Sequence, residues 1–74
     1  SEQMETMDQI ITLQNELEHY QKLEEQYLLS EEREKVMFIR GEIDRLKKEL
    51  EKIHSLFDQQ TEELIRSYRP NTYI

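Results

Sequence analysis

The sequence contains no cysteine and no tryptophan, and it has only one glycine and one proline in 74 residues. Without cysteine, the chain forms no disulfide, has no thiolate nucleophile and holds no zinc through Cys ligands. A single glycine leaves no Gly-rich phosphate loop. No apolar run approaches the roughly 20 residues of a membrane-spanning helix, and no signal peptide is recognisable. These absences favour a cytoplasmic protein.

Basic residues are also scarce in the first half of the chain. Acidic residues outnumber basic ones by 17 to 10, and residues 1–35 carry ten acids against three bases. The second half is neutral, so the whole net charge of -7 lies in the first half. An acidic surface repels phosphate backbones and anionic lipid, and we therefore expect neither nucleic-acid nor membrane binding.

The residues that are present are typical of helices, and a heptad stripe in the second half organises the chain. Its a and d positions are apolar through seven layers, then Gln60 interrupts the stripe and Leu64 resumes it. The seven are Val36, Ile39, Ile43, Leu46, Leu50, Ile53 and Phe57. A stripe this narrow needs a partner helix, from the same chain or from a second copy.

A second helical pattern precedes the first, with a different phase. It comprises Met7, Ile10, Leu13, Leu17, Tyr20 and Tyr27, with Leu23 beside the seam and Glu24 in it. Because the phases disagree, one continuous helix is disfavoured. If the chain folds back near Ser30, which with Glu31 and Glu32 resembles a helix start, apolar layers pair at a constant residue sum of 63.

The sequence thus predicts an all-α, antiparallel helical hairpin of coiled-coil type, as a single domain over residues 1–69. We expect helix one at about 4–28, a turn at about 28–34 and helix two at about 31–69, where Pro70 ends it and leaves 70–74 as a non-helical tail. Two alternatives stay open. The turn could lie near Gly41, or the chain could form one continuous rod.

Helix two is longer than helix one, so residues beyond Gln60 lack an intrachain partner, and further apolar residues lie off the stripe. This surplus predicts a homodimer, most simply a four-helix arrangement. Two apolar clusters are candidate partner-binding sites, for a second copy or for a helix of another protein. The hairpin tip gathers Leu28, Leu29, Met37 and Phe38, and the far end gathers Leu64, Ile65 and Tyr68 with Tyr73 and Ile74.

Candidate chemistry is sparse. Glu16 with His19, and Glu51 with His54, have the Glu-x-x-His spacing of metal-binding bundles. These side chains fall at g, c, b and e positions, which do not converge on a core. No serine has a His and an acid at a recognisable spacing. We therefore expect no metal, cofactor, catalytic residue or small-molecule substrate.

Two stretches resemble the YgaB-like family of short helical proteins from Gram-positive spore formers. They are Ser1-Glu2-Gln3-Met4-Glu5-Thr6-Met7-Asp8-Gln9 leading into Leu13-Gln14-Asn15-Glu16-Leu17-Glu18, and Gln60-Thr61-Glu62-Glu63-Leu64-Ile65-Arg66-Ser67-Tyr68. The resemblance implies a cytoplasmic helical protein and brings no catalytic residue.

The ending Leu64-Ile65-x-x-Tyr68 also resembles the sporulation-type aspartyl-phosphate phosphatases, which are small helical hairpins. That family has a Ser-x-x-x-Asp signature upstream, where this chain has Asp58 and Glu62. The leading interpretation is a non-catalytic structural or adaptor protein that self-associates through its helices. The alternative is a small helical regulator or phosphatase of a response-regulator pathway.

Overall fold

The computed structural model describes residues 2–68 and shows two helices joined by a tight turn. Helix α1 spans Glu2–Leu29 and helix α2 spans Arg33–Tyr68. They pack against each other antiparallel, which confirms the predicted all-α hairpin and rules out the continuous rod. The expected helix end at Arg69 and the tail at 70–74 lie outside the described residues.

The apolar stripe of α2 forms the core. Val36, Ile39, Ile43, Leu46 and Leu50 are buried, and Leu46 at the centre has 0% exposure. From α1, Ile10 is the large apolar residue that is fully buried, whereas Leu13, Leu17, Tyr20 and Tyr27 are half-buried. The core is therefore built mainly by α2, with α1 laid over it.

The turn is a helix C-cap in which Glu31 takes the left-handed conformation, with φ 58°. The Glu32 amide donates to the Tyr27 carbonyl over 3.0 Å, and the Glu31 amide donates to the Leu28 carbonyl over 3.2 Å. These two bonds are the pair that defines a Schellman motif, which satisfies carbonyls at the end of a helix. A left-handed residue reverses the chain here without glycine or proline.

Ser30 plays a different part from the one expected of it. It precedes this left-handed residue at the end of α1, and its hydroxyl is 3.0 Å from the Gln26 carbonyl. The first backbone bond of α2 instead runs from the Val36 amide to the Glu32 carbonyl, at 3.0 Å, which makes Glu32 the N-cap residue. The Ser30 hydroxyl donates to the Glu32 carboxylate over 2.7 Å and so links the two caps.

Two polar bonds between the helices fix their register. Arg40 Nε donates to Glu24 Oε2 over 2.7 Å, and Gln3 Nε2 donates to Thr61 Oγ1 over 2.6 Å. In both pairs the residue numbers add to 64, within one of the sum of 63 expected from the apolar layers. A register displaced by a heptad would change that sum by seven, so the expected layer pairing is the one adopted.

The prediction that Met7 belongs to the buried stripe of α1 was wrong. Met7 is 40% exposed, and Thr6 is buried at 4%. Spacings of three and four counted back from Ile10 lead to Thr6 and then Gln3, so the seam continues through polar residues. The Thr6 hydroxyl donates to the Glu2 carbonyl over 2.8 Å, which satisfies its polar atom inside the seam.

Gly41 lies inside α2 rather than at a turn. A Cβ built on it would have nothing within 4 Å, so the residue faces open space. Over the part of the chain that the structure describes, neither helix is both long and apolar enough to cross a membrane.

Candidate helix-docking surfaces

The hairpin has two long faces, one on either side of the seam. With Val36 at position a, and Tyr27 opposite it at position d, the e and b positions of both helices lie on one side and the g and c positions on the other. We call these the e face and the g face. A shallow depression lined by Leu28, Met37 and Arg40 on the e face confirms this placement, and one lined by Gln9 and Glu49 does so for the g face.

The four tip residues predicted to bind a partner are all exposed, but they do not form one patch. Leu28 and Met37 line the same depression of about 530 Å³ on the e face, beside the turn. Phe38 follows Met37 by one residue and so turns about 100° around α2, to the g face. Leu29, at 87% exposure, lies at an f position and faces away from α2.

At the far end, Leu64 and Tyr68 are exposed, and Ile65 is 54% exposed. Leu64 lines a depression together with Glu2 and Gln3 from the start of α1, so the first helix reaches further along α2 than the sequence suggested. Beyond this depression Ile65 and Tyr68 extend past the start of α1. Tyr73 and Ile74 lie outside the described residues.

A polar layer separates the far end from the apolar core. Gln60, which interrupts the α2 stripe, lies in the seam near Gln3, and both line one depression. Thr61 accepts from Gln3 and donates to the Phe57 carbonyl over 2.9 Å. The buried Gln60 Oε1 has no hydrogen-bond partner among residues 2–68, which costs about 1–3 kcal/mol.

Met4 and Met7 on the e face of α1 were missed as exposed apolar residues, whereas Ile11 was expected to lie off the stripe. Met4, Met7 and Ile11 are spaced by three and four and repeat with Gln14, Glu18, Gln21, Glu25 and Leu28. This is a second heptad stripe, polar in its middle, which runs beside the seam. A search of the sequence for a second heptad repeat, offset from the first, could have found this stripe. The acidic residues in its middle interrupt the apolar pattern and make it hard to recognise.

The contacts that shift pKa values lie at the turn and in the first half of α2. Lys35 donates to Glu32 over 2.8 Å, and this bond, followed by the Ser30 hydroxyl, lowers the pKa of the Glu32 carboxyl from 4.5. The same bond raises the pKa of Lys35, whose ammonium also lies 5.6 Å from the centre of the Tyr27 ring. Further along α2, the bond to Glu42 raises the pKa of the Arg45 guanidinium. The contacts of Ser30 with Glu32 and of Lys35 with Tyr27 connect the end of α1 to the start of α2.

The residues considered for chemistry are spread over the surface. Glu16, His19, Glu51 and His54 are all exposed, on two different faces. Within residues 2–68, no three His, Cys, Asp or Glu side chains come close enough together to share a metal ion. Asp58 and Glu62 are exposed one turn apart on α2, at b and f positions.

The geometry defines a class of protein: a small all-helical hairpin whose exposed features are apolar strips and mixed charge. A sequence model of the YgaB-like protein family matches residues 1–71. The chain therefore belongs to the YgaB-like family, as its two end stretches indicated.

One relative is the "Uncharacterized protein YgaB" of Bacillus subtilis (strain 168), to which the chain is 41% identical over 69 residues. The match covers 93% of this chain and 60% of the relative, so the chain spans less than two thirds of that protein's length. No solved structure matches the chain.

Proposed function

We propose that the chain is a non-catalytic, cytoplasmic adaptor of coiled-coil type that acts by helix-helix contact, first with a second copy of itself and then with a helix of another protein. The observation that carries the proposal is the amount of large apolar surface left uncovered. Within residues 2–68, eleven large hydrophobic residues are exposed against six that form the buried core. Where such residues lie side by side, as Leu28 and Met37 do beside the turn, exposed apolar surface usually marks an interface.

Size supports self-association. A chain of this length buries too small a fraction of its surface to be comfortably stable alone, and oligomerisation is one remedy. Two stacked hairpins give a four-helix arrangement, in which each helix gains a second neighbour. The exposed strips on either side of the seam are where that neighbour would lie.

The tip offers surface for a further partner. Phe38 and Leu29 lie away from the e face, so they would stay exposed after two hairpins stacked through that face. An amphipathic helix that lays its apolar side over Phe38, on the g face, is the kind of partner that such a surface fits.

Sedimentation velocity over a series of micromolar concentrations tests self-association. We expect the mass of a dimer, with dissociation on dilution. A monomer at every concentration would contradict the proposal.

For the adaptor role, a photo-crosslinking residue placed at Phe38 should give an adduct with another protein in cells, whereas the same residue at Lys48, on the exposed back of α2, should not. Equal labelling at both positions would count against a tip site.

A further inference from the structure

We propose that two copies pair through their e faces with both turns at the same end, so that α1 of each copy lies antiparallel to α2 of the other. This inference rests on the self-association proposed above and specifies its surface and geometry.

The distribution of apolar residues selects the e face. Of the eleven exposed large hydrophobic residues, seven occupy its e and b positions, and two lie on the g face. The seven are Met4, Met7, Ile11, Leu28, Met37, Ile65 and Tyr68. The two on the g face are Phe38 and Leu56. Ile65 and Tyr68 lie past the start of α1, so a second copy would cover five of the seven on the e face, against two on the g face.

The charge of the two helices selects which helix faces which. Helix α1 carries seven acids and one base, a net charge of -6, whereas α2 carries eight acids and eight bases and is neutral. Stacking α1 on α1 would bring two acidic helices together, which is unfavourable. Stacking α1 on α2 avoids that repulsion, and a twofold axis along the hairpin produces that arrangement.

Two pairs of facing side chains fit this arrangement, whereas Met7 and Ile11 would face the polar Asp58 and His54 of the other copy. At equal heights along the hairpin, Glu18 of one copy meets Lys47 of the other, and Leu28 of one copy meets Met37 of the other. Lys47 has no ion-pair partner within residues 2–68, and Glu18 reaches only Lys22, at 3.9 Å with both side chains well exposed. Lys47 is thus free to pair with a second copy.

The available area matches a weak dimer. Helix α1 is about 42 Å long at about 1.5 Å per residue, and the hairpin is 15 Å across. The face is thus about 600 Å² on each copy, or about 1,200 Å² in the dimer, which is the lower limit of specific stable interfaces. Association should therefore depend on concentration and on the charge pairs.

Charge reversal tests the pairing. Because the twofold axis places each pair twice in a dimer, Glu18→Lys alone and Lys47→Glu alone should each raise the dissociation constant about tenfold or more. An equimolar mixture of the two variants should restore association, since each pair of positions 18 and 47 across the mixed dimer then joins one base and one acid. Recovery in the mixture would also show that neither variant had lost its fold.

The matched controls are Glu16→Lys and Lys52→Glu on the g face, which should leave the dissociation constant unchanged. A wild-type chain that stays monomeric would overturn the proposed self-association itself. A wild-type dimer that the Glu18 and Lys47 variants do not weaken, or that the g-face variants do weaken, would overturn only the e-face assignment. Tighter association of Glu18→Lys would indicate α1 on α1, and failure of the mixture to recover would overturn the turns-together geometry.

Discussion

Arg40 on α2 and Glu24 on α1 form an ion pair of 2.7 Å directly across the seam of the hairpin. Glu24 occupies a position that the heptad reserves for an apolar residue, and its side chain is only 24% exposed. Arg40 supplies the opposite charge from the neighbouring helix. An acid that looks like a flaw in the α1 stripe is thus part of the contact between the helices, and it opposes sliding by a heptad.

A double-mutant cycle on this pair should give a coupling free energy of about 0.5–1 kcal/mol, because the pair is partly shielded but still near solvent. The variants are Glu24→Gln, Arg40→Met and both together, measured by urea unfolding. A control cycle on Asp44 and Lys48, an exposed pair within α2, should give about 0.3–0.5 kcal/mol or less. Equal coupling free energies in the two cycles would show that the cross-helix pair stabilises the hairpin no more than an exposed pair within one helix.

Replacing Leu46 with Ala should cost about 2–5 kcal/mol of unfolding free energy, since the side chain is fully buried and its removal leaves a cavity. Loss of helical signal in circular dichroism on mild heating would be the readout. Leu56→Ala is the matched control, because Leu56 is 42% exposed on the g face. A loss at Leu56 as large as that at Leu46 would contradict the assignment of the core.

Glu31→Gly should stabilise the hairpin by about 1 kcal/mol, because glycine adopts the left-handed conformation without the steric cost that Glu31 bears. Glu34→Gly, placed in the first turn of α2, should destabilise by about 1 kcal/mol. Thermal unfolding of the two variants would separate these effects. If both variants lost stability, the turn would not be formed as described.

Gly41→Ala should raise the unfolding free energy by about 1 kcal/mol, since Gly41 is helical and a methyl group there meets no neighbour. Ser55→Ala, also exposed on the back of α2, should give a smaller gain of about 0.5 kcal/mol. Urea unfolding of both variants provides the comparison. Destabilisation by Gly41→Ala would mean that another helix approaches closely at this position.

Acid should weaken the turn. The Glu32 carboxyl has a lowered pKa in the folded chain, through Lys35 and then Ser30, so its contribution to stability is complete above the ordinary value of 4.5 and is lost as the pH falls below it. NMR titration should place the pKa of Glu32 below its ordinary value of 4.5. Lys35→Met should move the pKa back towards that value, and an unchanged titration in that variant would contradict the role of Lys35.

The sequence was most informative where apolar residues alone occupy the seam. Spacings of three and four from Val36 to Leu50 identified the buried side of α2, because only a helix places those residues on one line. The same rule failed at the start of α1. Thr6 and Gln3 continue the seam there with polar side chains, and the apolar Met7 was predicted in their place.

Two further features lay outside such patterns. The turn has no glycine or proline. The chain reverses there through the left-handed conformation of Glu31, which glutamate seldom adopts. The pairing of Glu24 with Arg40 joins residues 16 apart, and it becomes visible once the register is known. The candidate surfaces divided in the same way: exposure at the tip followed from the sequence, whereas the separation of Met37 from Phe38 onto two faces required the hairpin.

Small-angle scattering combined with light-scattering mass is the measurement that tests the central claim most directly. The account predicts twice the mass of one 9.1 kDa chain, with a length that stays near the 66 Å of the single hairpin and a thicker cross-section, because the copies lie side by side. A monomer at micromolar concentration, or a dimer of about twice that length joined end to end, would contradict it.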